Sequence, residues 1–519
     1  MQINPSIRPV LALTLVFCCP PAGSFAPSLL DEILATGQLL APDSTRRLYE
    51  QNGFVRQWNQ QQITSLLSAL RTAREHGLDP GEYHYSELQT ARPHDDRIDV
   101  LASDAFLVYA GHLLGGKVRP TTIEPTWSAK GRERDLVAYL KDSLVKDNIA
   151  TSLDALGTSQ PRYRILMDAL DRYRKISEAG GWGLVPPGEA LKPGARSPRI
   201  PALRNRLSAT GDIPTTTPGD AELYDEQLVA AVRRFQRRTN LEPDGIAGPA
   251  TIKHLNLTPQ DRVDQIRVNL ERWRWLPANL GDRHIRVNIA DYRLEAHENN
   301  DIARTHDVIV GRNYRKTPVF SGNMTYCILN PWWETPSRLA RLDKLPVFQK
   351  SPGSVDKLGF QVLDQNGNIL NTSEIDWRKY SPANFPFRLR QKPGPHNALG
   401  KIKFMLPNKH DVYLHDTPTR ELFDKTRRNF SSGCIRVKDP VGLAEWTFQA
   451  NRDWPRDRIE QVIESGKETR VTLKQPVQTH ILYWTAVSDD DNNDIRFIED
   501  IYERDPPVLR ALDTKTTHP

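Results

Sequence analysis

Residues 284–298 read HIRVNIADYRLEAHE, and at this stretch the hydrophobic pattern of the chain changes period. Ile285, Val287 and Ile289 alternate with polar residues, and Leu294 and Ala296 resume the alternation after a bend near Asp291. Strand side chains point to opposite faces in turn, so a period of two reads as β structure with one buried face. The signal returns in DVIVG (307–311), MTYCILNP (324–331), GKIKFML (400–406), DVYLHD (411–416), RVTLK (470–474) and HILYWTAV (480–487). Together these runs predict a β-rich domain over 264–334 and 389–486. The segment 335–388 between them is irregular and rich in Pro, Asn and Gly, which suits a capping insertion, or lid.

Outward from this core the pattern is helical. ITSLLSALRTAREHGL (63–78) carries Leu66, Leu67, Leu70 and Ala73 on one stripe, and DAFLVYAGHLLGGKVRP (104–120) repeats the pattern. Residues 27–200 are therefore expected to form a helical scaffold, closed by a Gly/Pro-rich linker at 180–201. Residues 201–258 predict a small three-helix unit. Leu203 and Leu207 lie one turn apart, Leu228, Ala231, Val232 and Phe235 share a stripe, and Asp225 is placed to cap the second helix. The predicted fold class is multidomain α+β. Residues 487–519 read as a C-terminal tail with a solvated acidic loop, SDDDNND (488–494).

The chain has 519 residues, a net charge of +6 and four cysteines. Basic residues are not gathered into tracts interleaved with aromatics, which argues against nucleic acid as a partner. At the N-terminus, PVLALTLVFCC (9–19) followed by PPAGSFA (20–26) is too short to cross a bilayer as a mature helix. Residues 1–26 read as a secretory signal, with a buried N-terminal helix as the alternative. The residues before Cys18 and Cys19 are too bulky for a lipid-attachment site, so no membrane anchor is expected after cleavage. Export would leave Cys327 and Cys434, which in an oxidising compartment form a candidate disulfide.

Cys434 lies in NFSSGCIRV (429–437). If VYLH and CIRV are strands, Tyr413 and His415 share one face, and Cys434 and Arg436 share another. A thiol is mostly protonated at neutral pH, and its thiolate is the nucleophile. His415 is then the candidate base and Arg436 the cation that favours thiolate. Asp416 would face away from such a site, so a carbonyl of Ser432 or Gly433 is the candidate orienter of the imidazole. Gly433 allows close approach of a substrate carbonyl, while the Cys434 N–H and the Tyr413 hydroxyl are candidate oxyanion donors. On the residues alone three roles stay open for Cys434: nucleophile, disulfide partner of Cys327, or small apolar filler. No CxxC or paired-His spacing suggests a metal, and no cofactor is expected.

Two resemblances narrow this. AVRRFQRRTNLEPDGIAGPATIKHLN (231–256) resembles the peptidoglycan-binding domain found beside many cell-wall enzymes. YLHDTP with SSGCIRV resembles the signature of the L,D-transpeptidases, and NPWWETPSRLARLDKLP (330–346) and RLRQKPGPHNALGKIKFMLPN (388–408) agree with it. The family's usual His before Gly-Cys is Ser432 here, a departure that leaves His415 as base. The resemblance implies a β-sandwich-like catalytic domain in which Cys434 attacks the carbonyl of the third residue of a tetrapeptide stem. D-Ala would leave, and the amine of a second stem would resolve the thioester as a 3→3 cross-link. It further implies Tyr413, Gly433 and the Cys434 amide at the oxyanion, and Arg436 as a positioning group. Ser431, Ser432, Trp333 and Asn397 would line the pocket. A periplasmic setting, sensitivity to carbapenem-type β-lactams and other cell-wall synthesis proteins as partners belong to the same implication. Hydrolysis of the same stems and a non-catalytic wall-binding scaffold are the competing readings.

Overall fold

The computed structural model describes residues 23–90, 92, 95–214, 219–299, 301–488 and 494–514. Most of the expected secretory segment, with Cys18 and Cys19, lies outside them, as do residues 489–493 of the acidic loop. The boundary expected at Ala26 falls inside the fold. Phe25 is buried against Tyr49 and Phe54, and its N–H donates to the Phe54 carbonyl.

The alternating runs form strands β1 (Arg283–Asn288), β2 (Arg293–Glu298), β3 (Asp301–Ile309) and β4 (Phe320–Leu329). After the insertion come β8 (Ile402–Met405), β9 (Leu414–His415), β10 (Ile435–Val437) and β11 (Thr469–Leu482). They close in the order β1-β11-β4-β8-β9-β10-β3-β2. The two facing sheets expected of a sandwich are thus opposite walls of one eight-stranded barrel, and closure leaves no edge strand. RVTLK and the first three residues of HILYWTAV, expected as separate strands, belong to the one strand β11, while Ala486 and Val487 open a short strand, Ala486–Ser488, that pairs with Ile495–Phe497. A register shift between Thr472 and Val477 carries the strand past the irregularity. Ile285, Val287, Leu294, Phe404, Leu414, Ile435 and Val437 fill the interior and are fully buried.

The insertion has its own sheet. β5 (Trp333–Glu334), β6 (Phe360–Leu363) and β7 (Arg388–Gln391) pair in the order β5-β7-β6 over a core of Trp333, Leu345, Phe348, Phe360, Trp377 and Leu389. Its structural limits are therefore β5 and β7, a few residues outside 335–388. A separate hydrophobic core makes the cap a body that can move as a unit.

One described helix, Asp96–Gly115, is long and apolar enough to cross a membrane, but it is the buried centre of the scaffold. Asp104 on it is fully buried and accepts from the N–H groups of Leu40 and Ala41 and from the Thr45 hydroxyl. The helix Pro259–Arg274 links scaffold to barrel. A capping box of Thr258 and Asp261 starts it, and the TPQD sequence is the signal by which it could have been found. Its buried Glu271–Arg274 pair accepts the Val118 N–H and donates to the His76 carbonyl, both in the scaffold.

The three helices Ile200–Ser208, Glu226–Arg238 and Pro249–Leu255 form the small unit, and Asp225 accepts from Leu228 N–H at 2.9 Å as its cap. The Gly/Pro-rich stretch before it wraps the unit instead of tethering it. Leu191 and Ala247 exchange backbone hydrogen bonds, and Val185 and Leu191 enter its core. Residues expected as a tail also pack. The helix Asp505–Asp513 buries Val508 and Leu512 in the scaffold core.

Candidate active site

Three strands build the site. β9 lies between β8 and β10, antiparallel to the first and parallel to the second. The register sets His415 opposite Lys403 on one side and opposite Arg436 on the other. Ile435 N–H donates to the Tyr413 carbonyl at 3.1 Å, which brings Cys434 alongside Tyr413. Alternation sends Phe404, Leu414 and Ile435 into the core. It sends Lys403, Tyr413, His415, Cys434 and Arg436 into a cleft of about 780 Å³. The cap supplies the facing wall with Trp333, Pro336, Leu339, Asp343 and Lys344.

The imidazole is fixed at one nitrogen. His415 Nδ1 donates to the Asp416 carbonyl at 2.5 Å, which leaves Nε2 as the acceptor. The orienting carbonyl is thus that of Asp416, not of Ser432 or Gly433. The Asp416 side chain does face away, accepting from Lys401 N–H and Arg420. Burial, with Arg436 and Lys403 on either side, pushes His415 down to about 3. Burial also pushes the Cys434 thiol up, against the hydrogen bonds from Tyr413 and the charges of Lys403 and Arg436. The resting pair is therefore a neutral thiol and a neutral imidazole. The Tyr413 hydroxyl lies beside the Trp333 indole and the thiol, and the thiol donates to the Asp411 carbonyl at 3.8 Å.

The loop that carries Cys434 is braced from behind. Ser431 Oγ donates to the Cys434 carbonyl at 2.5 Å and accepts from Gly433 N–H at 3.0 Å. Thr317 donates to the Gly433 carbonyl at 2.9 Å. Gly433 has φ +121°, open to glycine and strained for other residues. Its N–H is already committed to Ser431, so the oxyanion donors left from the expected set are the Cys434 N–H and the Tyr413 hydroxyl. Ser432 sits on the exposed rim, where Arg315 donates to it at 2.9 Å while pairing with Asp343 of the cap at 2.6 Å. Trp333 lines the cleft, but Asn397 does not. Asn397 is 1% exposed, and its amide donates to the carbonyls of Pro331, Gln391 and Lys392. It ties the two roots of the cap together, a role with no local sequence signal.

Sequence reasoning also passed over Lys403, Arg315 and Thr317. The alternation in KIKF marks Lys403 as facing away from the core, but only the pairing of β8 with β9 sets it beside His415. The disulfide reading is not met. Both thiols are free, and Cys327 is enclosed in the barrel core opposite Phe404 and Val471. Native protein treated with iodoacetamide should be modified at Cys434 and spared at Cys327, which peptide mass mapping reads directly. Modification of Cys327 before Cys434 would contradict this assignment. Among the described residues no group of three or more His, Cys, Asp or Glu side chains is arranged to hold a metal ion.

Three domain families match the chain: a "Scaffold domain" over 43–170, a "Putative peptidoglycan binding domain" over 196–255, and an "L,D-transpeptidase catalytic domain" over 282–460. A Haemophilus influenzae protein named "Putative L,D-transpeptidase" is 34% identical over 407 residues, covering 75% of this chain and 77% of that protein. The "N-acetylmuramoyl-L-alanine amidase CwlM" of Mycobacterium tuberculosis is 40% identical over 75 residues, 13% of this chain and 18% of that one. Among solved structures, an L,D-transpeptidase from Xylanimonas cellulosilytica covers 57% of this chain and 99% of its own, at 13% identity and a TM-score of 0.18. Superposition at that level carries no weight, and the assignment rests on the domain matches and the long relative. By these, the chain belongs to the L,D-transpeptidase family.

Proposed function

We propose that this protein cross-links peptidoglycan stem peptides through a thioester on Cys434. The observation that supports this best is the β9/β10 register, with thiol, fixed imidazole and oxyanion donors on one face of one cleft. In the first half-reaction, His415 Nε2 takes the thiol proton as sulfur attacks the carbonyl of the third stem residue. The Cys434 N–H and the Tyr413 hydroxyl receive the oxyanion. The C–N bond to D-Ala breaks, and His415 returns the proton to the departing amine. In the second, the side-chain amine of another stem attacks the thioester, gives a proton to His415, and frees the thiol with a 3→3 link formed.

The peptidoglycan-binding unit would hold the enzyme on its polymeric substrate and raise the local stem concentration. Such a substrate lies outside the cytoplasm, so we assign the protein to the periplasm, with an N-terminal export signal that ends before the packed Phe25. Purified protein incubated with a tetrapeptide muropeptide tests the reading. A cross-linked dimer plus free D-Ala is the expected product, read by mass spectrometry. Trimmed monomer alone would replace transfer with hydrolysis at the same cysteine. No reaction and no Cys434 adduct with a carbapenem would leave only a wall-binding scaffold.

A further inference from the structure

We infer that Lys403 is the specificity residue for the donor peptide, its ammonium receiving the carboxylate of the leaving terminal residue. This rests on the acyl-transfer reading above and adds to it the group that selects the donor.

Lys403 belongs to β8 and lies directly opposite His415. Its Nζ stands 4.0 Å from the centroid of the Tyr413 ring, inside the cleft that holds Cys434. It is half-buried, and among the described residues no carboxylate or carbonyl accepts from its Nζ. A partly desolvated ammonium without an anionic partner is costly unless a ligand supplies one. The face of Tyr413 offsets part of that cost. Burial accordingly holds Lys403 below the ordinary lysine value, while the neighbouring Cys434, Glu468 and Asp411 act in the opposite direction.

Most other cations of the cleft are engaged, whereas Arg338 stands exposed on the cap and Lys344, also on the cap, has only ring contacts. Arg315 pairs with Asp343 and Ser432, and Lys316 donates to the Tyr502 carbonyl at 2.7 Å. Arg436 donates to Thr419 at 3.0 Å. Lys344 lies over the rings of Trp333 and Phe360 at 5.5 and 5.4 Å.

The reaction itself supplies an anion at the right range. The bond to be broken is the last amide of the donor, so a carboxylate sits one residue beyond the attacked carbon, roughly 4 Å along the chain. That carboxylate must enter the same cleft, where a cation within hydrogen-bond reach would select it by a charge-assisted bond. A peptide lacking the carboxylate at that distance, such as a longer stem, would leave Lys403 unpaired and be disfavoured.

Binding to Cys434→Ala protein, which cannot react, isolates this step. The probes are the tetrapeptide stem and the same peptide with its C-terminal carboxylate converted to a carboxamide. The acid is expected to bind about tenfold or more tightly than the amide. In Cys434→Ala/Lys403→Gln the ratio should fall toward one, and Lys403→Arg should restore part of it. Equal binding of the two peptides to Cys434→Ala overturns the inference. So does a Lys403→Gln substitution that weakens both peptides by one common factor. A separate readout guards the acyl-transfer reading: formation of the thioester with the acid peptide in protein carrying Cys434. If the acid is selected through Lys403 but no thioester forms, the proposed function fails while the carboxylate site stands.

Discussion

His415→Ala is expected to slow acylation of Cys434 by a carbapenem-type β-lactam about 10²–10⁴-fold, the range a positioned base contributes. The adduct is read by intact-protein mass spectrometry, with circular dichroism as the control for folding. The magnitude follows from the resting charge state. His415 is pushed down to about 3 by burial and by Arg436, and the Cys434 thiol is pushed up by burial. Throughout the neutral range both groups are uncharged, so nucleophile formation depends on proton transfer during attack. The sign of the pH dependence follows. Thiolate is the reactive form, and its fraction grows about tenfold per pH unit below the thiol's pKa. Alkylation of Cys434 by iodoacetamide should therefore rise steadily from pH 6 to 9. It should show no inflection near the ordinary histidine value, because His415 stays neutral across that window. A plateau reached below pH 7 would indicate a preformed thiolate–imidazolium pair and would sink the neutral-pair assignment. Alanine at 415 with undiminished acylation would remove His415 as the base.

How far the sequence discloses this site depends on which contacts are local. Period-two alternation sufficed to put Tyr413 with His415 and Cys434 with Arg436, because strand geometry decides face from spacing alone. It could not say that β9 and β10 run parallel, or that β8 flanks His415, since pairing partners are distant in sequence. Lys403 was passed over for that reason. The orienter of His415 was misplaced onto Ser432 or Gly433 because a carbonyl has no side-chain signature, and the one used belongs to the neighbouring residue, Asp416. Asn397 is a pocket residue only on the family resemblance. Its burial under three carbonyls is a tertiary fact. Barrel closure was equally hidden: a half-buried strand reads the same in a sandwich and in a barrel. Composition reads these segments only as a tail and a linker, yet Leu512, Val185 and Leu191 anchor them in cores.

Gly311→Ala is expected to destabilise the protein by about 3 kcal/mol through overpacking and to cost acylation about 10²-fold through misplacement of the loop that carries Cys434. Gly311 follows β3 at the turn that cradles that loop. A Cβ there would stand 2.1 Å from the Arg315 carbonyl oxygen and 2.8 Å from Thr317 N, both backbone atoms that no rotamer change can clear. The backbone of the turn has to move, and what it carries is the support of the site. Gly311 N–H donates to the Thr317 hydroxyl at 2.9 Å, and that hydroxyl donates to the Gly433 carbonyl. Ser431 pairs with Gly311 as an isolated parallel bridge, and the Tyr502 hydroxyl donates to the Gly311 carbonyl. A shift of the turn therefore displaces Ser431 and Gly433 together, and with them the Cys434 N–H that has to meet the oxyanion. Thr317→Val removes only the hydroxyl, leaves the turn unclashed, and separates support of the loop from folding. It should lower acylation while moving the urea midpoint far less than Gly311→Ala does. Acylation that survives both substitutions at the native rate would show that the Cys434 loop holds its geometry without this turn.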